Sequence, residues 1–299
     1  MVLRPSQQLR AVSAGLIAIA WGASIAGCDE KKSPPPPAQA PSAAPPERAS
    51  AAAPSASAAP PTTRGGPMVR LAAGTYTMGS QRIRDEQPPH KVTVAAFELD
   101  KTEVTVAAYK DCVTDGKCTA PLAGPPKGLD ANGRLPLLAC NWDKPDRAED
   151  PVNCVTWAQS DAYCAWAGKR LPTEEEWEYA AGGVAGRRYP WGDAEPTDKT
   201  VCWGRFVLGN DKQKGTCAVG SRPDGATPEG ILDLSGNVYE WTSSGYSNDY
   251  KSPRSDAKIA IRGESWRGIE PMWVRAAYRT SSARGDAVDM IGFRCARSL

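Results

Sequence analysis

The sequence predicts an α+β domain with much irregular structure, cross-linked by disulfides and carried behind a long N-terminal extension. Three observations carry that prediction. Helical patterning is confined to a few short stretches, strand-like pieces are shorter still, and the chain of 299 residues holds nine cysteines. Such a cysteine count is high for a reducing compartment and ordinary for an exported protein. Ten tryptophans against three phenylalanines add to the expectation of a loop-rich core.

Residues 1–10 are short and basic through Arg4 and Arg10, and residues 11–27 are apolar apart from Ser13 and Ser24. That run is too short and too rich in Gly and Ala for a membrane span, and 1–27 reads as a signal peptide. It ends Ile25-Ala26-Gly27-Cys28, followed by the charged Asp29-Glu30-Lys31-Lys32. This resembles the lipobox of bacterial lipoproteins, which are cut before a cysteine carrying diacylglycerol. The resemblance implies lipidation of Cys28 and a location in the cell envelope, on the periplasmic or cell-surface side. The membrane is then a partner, reached through acyl chains. Residues 28–66 are Pro, Ala and Ser with hardly a large apolar side chain. They cannot bury enough surface to offset their ordering entropy and read as a disordered tether. A proline-rich spacer of that length reaches up to roughly 100 Å at about 3.1 Å per residue.

The domain then spans 67–299. Formal charge is +2, with the excess in the leader and tether. A nearly neutral domain has no electrostatic footprint for nucleic acid, and no such partner is expected. A monomer is expected.

In chain order, 68–71, 74–78 and 91–94 read as strands. An amphipathic helix over 102–114 ends at Asp115-Gly116. Residues 155–167 read as a helix with Val155, Ala158, Ala162 and Trp166 on one face and Gly168 as C-cap. Thr173-Glu174-Glu175-Glu176 is a capping box, with acids favoured at the helix N-terminus, and that helix runs to Ala181 before Gly182-Gly183. Trp191-Gly192-Asp193 and Pro223-Asp224-Gly225 are turns. Residues 259–262 and 292–295 complete the strands.

Apart from Cys28, eight cysteines remain: Cys112, Cys118, Cys140, Cys154, Cys164, Cys202, Cys217 and Cys295. An even number in an exported domain points to four disulfides and no free thiol. Many connectivities are open from sequence alone. Close spacing favours Cys112–Cys118, Cys140–Cys154 and Cys202–Cys217, which leaves Cys164 for Cys295. Each bridge contributes about 2–4 kcal/mol. There is no C-x-x-C pair and the single histidine is His90. Zinc, iron–sulfur and Ser/His/Asp readings therefore fail.

A set of motifs runs through the domain: Gly74-Thr-Tyr-Thr-Met-Gly79, Thr102-Glu-Val-Thr105, Pro151-Val-Asn-Cys-Val-Thr-Trp157, and Gly168-Lys-Arg-Leu-Pro-Thr-Glu-Glu-Glu-Trp-Glu-Tyr179. Tyr189-Pro-Trp-Gly192, Asp233-Leu-Ser-Gly-Asn-Val-Tyr-Glu-Trp241, Arg262-Gly-Glu-Ser265 and Gly292-Phe-Arg-Cys295 continue it. In this order they resemble the formylglycine-generating enzyme (sulfatase-modifying factor) family across essentially the whole of 67–299. The resemblance implies a variant of the C-type lectin-like fold and agrees with a Cys164–Cys295 bridge. His90 resembles the family's Pro-x-His-x-Val strand start and reads as structural.

Family enzymes oxidise a sulfatase cysteine with two active-site cysteines that bind Cu(I), a soft ion suited to thiolates. Those cysteines lie between the Arg-Gly-x-Ser segment and the terminal Gly-Phe-Arg-Cys. Here residues 265–279 contain no cysteine, and Gly268 and Trp273 fall about where the thiols belong. A related branch binds iron through three histidines, which one histidine cannot supply. Neither copper nor iron is expected. The resemblance does imply a structural calcium site, with side-chain oxygens from Asp233 and Glu240 and backbone carbonyls from Gly236 and Val238. A second family calcium site has Val201 where an oxygen belongs, and only Asp211 matches. The family's substrate groove implies Trp266, Arg267, Glu270, Trp273, Arg275 and Arg279 as groove residues here. Arg284-Gly285-Asp286 matches an adhesion tripeptide and reads as a turn. The expectation is a tethered, non-catalytic binding or structural module holding a peptide, glycan or envelope protein. The competing expectation is an oxidoreductase that makes formylglycine by an altered mechanism.

Overall fold

A computed structural model describes residues 64–121, 139–204 and 215–299. The leader, Cys28, nearly all of the tether and Asp211 lie outside the described residues. In chain order the elements are β1 Met68–Leu71, β2 Gly74–Met78, β3 His90–Val94, β4 Phe97–Asp100, α1 Val106–Thr114, α2 Trp157–Trp166 and α3 Glu174–Gly182. They continue with β5 Tyr239–Tyr246, β6 Ser255–Arg262, β7 Arg279–Ala283, β8 Ile291–Gly292 and β9 Ala296–Ser298. Three small sheets result, ordered β1-β4-β9, β2-β3 and β7-β6-β5-β8. β4 is the hinge of the first sheet, pairing antiparallel with the domain's first strand on one side and its last on the other.

The helices show where local signals hold and where tertiary bonds override them. At α3, Thr173 accepts from the Glu176 amide and Glu176 returns the bond, so the expected capping box forms. Gly183 then ends the helix with φ of 63°, a conformation that glycine adopts without a Cβ penalty. At α1 the expected start was four residues early. Thr105 caps it, and the preceding residues stay extended because Val104 donates to Phe293 O while Val104 O accepts from Val152. Along α2 the buried face is Ser160, Tyr163 and Cys164, and Ala158 is exposed. Two contacts turn the helix away from the predicted face: the Cys164–Cys295 disulfide, and Tyr163 stacked on Tyr109 with centroids 5.5 Å apart. α2 also carries a capping box, Thr156 with Gln159, that the sequence reading overlooked.

All four disulfides pair as the spacing favours: Cys112–Cys118, Cys140–Cys154, Cys164–Cys295 and Cys202–Cys217. The long one joins residues 131 apart and ties α2 to the C-terminal strand. The expected strand over 292–295 splits. Gly292 pairs with β5 in parallel, Ala296 passes to β4, and between them Arg294 and Cys295 turn into the core. β4, β5 and β7 were not expected from sequence.

Candidate functional site

The site begins where β6 ends. Arg262 is fully buried and bonds Glu174 at 3.1 Å and Glu178 at 2.6 Å, both on α3. The chain then turns through two successive left-handed residues, Gly263 at φ 95° and Glu264 at φ 63°. For glutamate that conformation costs about 1–2 kcal/mol, so the surroundings must hold it. Its carboxylate, in a residue 5% exposed, accepts from the Ser265 amide at 3.0 Å and from the Tyr239 hydroxyl at 2.6 Å. Tyr278 lies against the same pair. Burial pushes the Glu264 carboxyl above its ordinary range, against the pull of the Tyr239 and Ser265 donors.

Glu264 fills the space over Gly268. A Cβ on Gly268 would stand 2.6 Å from Glu264 Cγ and 3.1 Å from its Cδ. The position where the resemblance expects a thiol therefore has no room for any side chain while Glu264 stays. Beside it, Trp266 is buried and donates to Asp289 O. The Arg267 guanidinium lies 4.4 Å over that indole and bonds Asp289 at 2.6 Å.

Two of the expected groove residues face inward. Arg275 makes a two-pronged pair with Glu86, at 2.7 and 2.9 Å, and Arg279 does the same with Glu174, at 2.6 and 2.9 Å. Arg279 also sits 4.5 Å over Tyr246 and 4.3 Å over Tyr250. Glu86 and Glu174 are buried, and a bare buried carboxylate is costly, so each takes an arginine with it. Arg275 and Arg279 are thus removed from the groove, and Trp266 is covered. Arg267, Glu270 and Trp273 remain at the surface, next to Met272 at 43% exposure.

A second cluster adjoins this loop through two backbone bonds, Gly236 N to Gly263 O and Trp266 N to Asn237 O, each 2.7 Å. The 233–238 segment is tightly wound, with Asp233, Gly236 and Asn237 all left-handed. Glu240 is fully buried. One of its oxygens accepts from Arg294 Nε and Trp177 Nε1, and the other accepts from Arg294 Nη2, all at 2.8 Å. Asp233 accepts from the Gly220 amide. Facing both is Glu103, 2% exposed, whose side chain meets the Asp233 carboxyl. Burial and the neighbouring Asp233 and Glu240 carboxyls push Glu103 well above the usual carboxylate range. Among the described residues no three His, Cys, Asp or Glu converge closely enough to hold a metal by themselves. Any cation here would need backbone carbonyls, as the expected set with Gly236 and Val238 has. Hard oxygen donors of this kind fit a calcium-class ion. Glu240 is a poorer ligand than expected, because most of its lone pairs are already used. Sequence reasoning took Glu103 only as part of the Thr102–Thr105 motif, and an acid flanked by strand-like residues was the one available signal.

The eight domain cysteines are all in disulfides, so no thiolate is present among the described residues to hold Cu(I). The profile of the sulfatase-modifying factor enzyme 1-like domain matches residues 54–299. The inactive C-alpha-formylglycine-generating enzyme 2 of Bos taurus is 34% identical over 269 residues, covering 77% of this chain and 87% of its own. The formylglycine-generating enzyme of Streptomyces coelicolor is 34% identical over 285 residues, covering 76% and 88%. Among solved structures, PvdO from Pseudomonas aeruginosa superposes with a TM-score of 0.62 at 30% identity, over 78% of this chain and 94% of its own.

Proposed function

The chain belongs to the sulfatase-modifying factor enzyme 1-like family, and we propose that it serves there as a membrane-tethered, non-catalytic binding or structural module. Identity does not separate the alternatives, since an inactive and an active relative are equally similar. The observation that carries the reading is Glu264 packed over Gly268: where the family's chemistry needs a reactive thiol, this chain has a carboxylate in tight contact with a glycine. Copper chemistry has no ligand set here, and no step is assigned to it.

Binding would use the surface that this packing leaves, with Trp273, Met272, Glu270 and Arg267 grouped beside one another. An amphipathic, aromatic-bearing rim of this kind suits a peptide, a glycan or an envelope protein. Lipidation at Cys28 and the 28–66 tether would hold that surface within reach of envelope partners. We read the 233–240 loop as a structural calcium site that braces the neighbouring 263–268 loop through the Gly236–Gly263 and Asn237–Trp266 bonds. The ion would neutralise buried carboxylates there.

The decisive assay offers Cu(I), oxygen and a Cys-x-Pro-x-Arg peptide to the purified full chain, with a formylglycine-generating enzyme run in parallel. The expected outcome is unmodified peptide and no copper-dependent oxygen uptake. Formylglycine in the product would overturn the reading in favour of an oxidoreductase with an altered mechanism. For the anchor, Cys28→Ala is expected to move the protein from the membrane fraction to the soluble one.

A further inference from the structure

We propose that the cavity between the end of β1 and the loop after α3 is a second binding site, which takes a carboxylate borne on a small apolar body. It lies on other residues than the surface proposed above and does not depend on that reading.

The cavity measures about 330 Å³, a size that suits a small ligand. Leu71, Ala72, Val184 and Ala185 form its apolar walls, and Arg70 and Arg187 supply positive charge. Val184 is 65% exposed, an apolar side chain held in water that an occupant would cover. The loop is shaped around the Arg187 guanidinium. Gly183 is left-handed, and a Cβ there would stand 2.7 Å from Arg187 Nη1 and 3.1 Å from its Cζ. Any side chain at 183 would displace the guanidinium.

That charge is poorly answered from within. Other buried arginines of this chain take an acid in two prongs: Arg275 on Glu86, Arg279 on Glu174 and Arg294 on Glu240, all between 2.6 and 2.9 Å. Arg187 is also largely covered, yet its acid partner Glu229 stands at 3.4 Å. The same Nη2 reaches the Ala180 and Ala181 carbonyls of α3 only at 3.4 and 3.3 Å. Its Nε is withdrawn from water and has no acceptor. Arg70 forms no ion pair among the described residues, and Glu98, opposite it on β4, is held by Arg297. Two guanidiniums against one loosely placed carboxylate leave one positive charge. A ligand carboxylate on Arg187 would complete the two-pronged pair that the other arginines have. Its apolar body would lie against Val184 and Leu71. That body distinguishes the ligand from inorganic phosphate, which has no apolar surface to bury.

Two sources share this chemistry, a free short-chain acid and the C-terminal residue of a peptide. The test offers the full-length protein isovalerate, N-acetyl-leucine and inorganic phosphate, with N-acetyl-leucinamide as the uncharged control. Binding is followed by calorimetry and by saturation-transfer NMR. At least one of the two acids is expected to bind in the millimolar range or tighter, with phosphate and the amide about 10-fold weaker or silent. Tighter binding of isovalerate would assign a free acid, and tighter binding of N-acetyl-leucine a peptide end. Arg70 and Val184 are exposed, so Arg70→Gln and Val184→Glu should keep the wild-type melting temperature. Each is expected to weaken the tighter acid by about 10-fold. Arg187→Lys, which keeps the charge and loses the fork, should weaken it as well. Silence from both acids would overturn the proposal, and so would phosphate or the amide binding as well as they do. Binding kept in full by the Arg70 and Val184 variants would place the acid elsewhere and overturn it too.

Discussion

Glu264 and Glu103 are both buried glutamates, lying in adjoining parts of the fold, and they have been treated in opposite ways. Glu264 is answered by its own chain, through the Ser265 amide and the Tyr239 hydroxyl, and it fills a hole. Glu103 instead meets another carboxyl, that of Asp233. A carboxylate met by neutral donors is a packing element, whereas two buried carboxyls that meet each other can hold one proton between them. By this contrast neutral donors close over the thiol position, while the acidic cluster beside it pairs acid with acid.

The comparison can be broken most severely at Arg294. Replacing it with Met removes the guanidinium that pairs with Glu240 and leaves the Glu240, Asp233 and Glu103 carboxyls facing one another. The expected loss is about 3–5 kcal/mol by urea unfolding. A change near zero would mean that Glu240 already carries a proton and does not depend on the guanidinium. Next in size is Gly268→Cys, which drives a side chain into Glu264 and should cost about 1–3 kcal/mol. Adding Glu264→Gly should recover most of that loss, since the double variant removes the collision. Additive losses in that cycle would show that Glu264 is not what closes the position.

The smallest effect concerns pH. Burial holds the Glu264 carboxyl above its ordinary range, so its contribution is full below the ordinary glutamate pKa and is lost as pH rises through the raised value. Wild type should therefore lose stability relative to Glu264→Gln as pH rises from below the ordinary glutamate pKa toward neutral. A difference independent of pH would place the carboxyl in its ordinary range.

Much of this was legible in the residues, and the limits are physical. The α3 capping box is a local signal, complete within four residues, and it forms as read. The disulfides follow from spacing because three of the four close short loops. What the pattern could not show is direction. Arg275 and Arg279 were expected in the groove from the family resemblance, and only the fold brings Glu86 and Glu174 within reach of them. The α2 face was misread because its orientation is dictated by Cys295 and Tyr109, both remote in sequence. Glu103 escaped because its partner Asp233 is remote in sequence and only the fold brings the two acids together.

The first sheet has a mechanical consequence. Pro67 O accepts from the Lys101 amide and Met68 pairs with Asp100, whose carboxylate is gripped by Lys169 and by the Cys295 amide. Just upstream, Arg64 lies 5.2 Å over Trp166 and pairs with Asp115. A tug on the N-terminal extension is thus delivered to residues flanking a covalent cross-link between Cys164 and Cys295. The load path runs into that staple and through β4, and it bypasses the 263–278 loop, so a pull arriving at Arg64 need not disturb that loop.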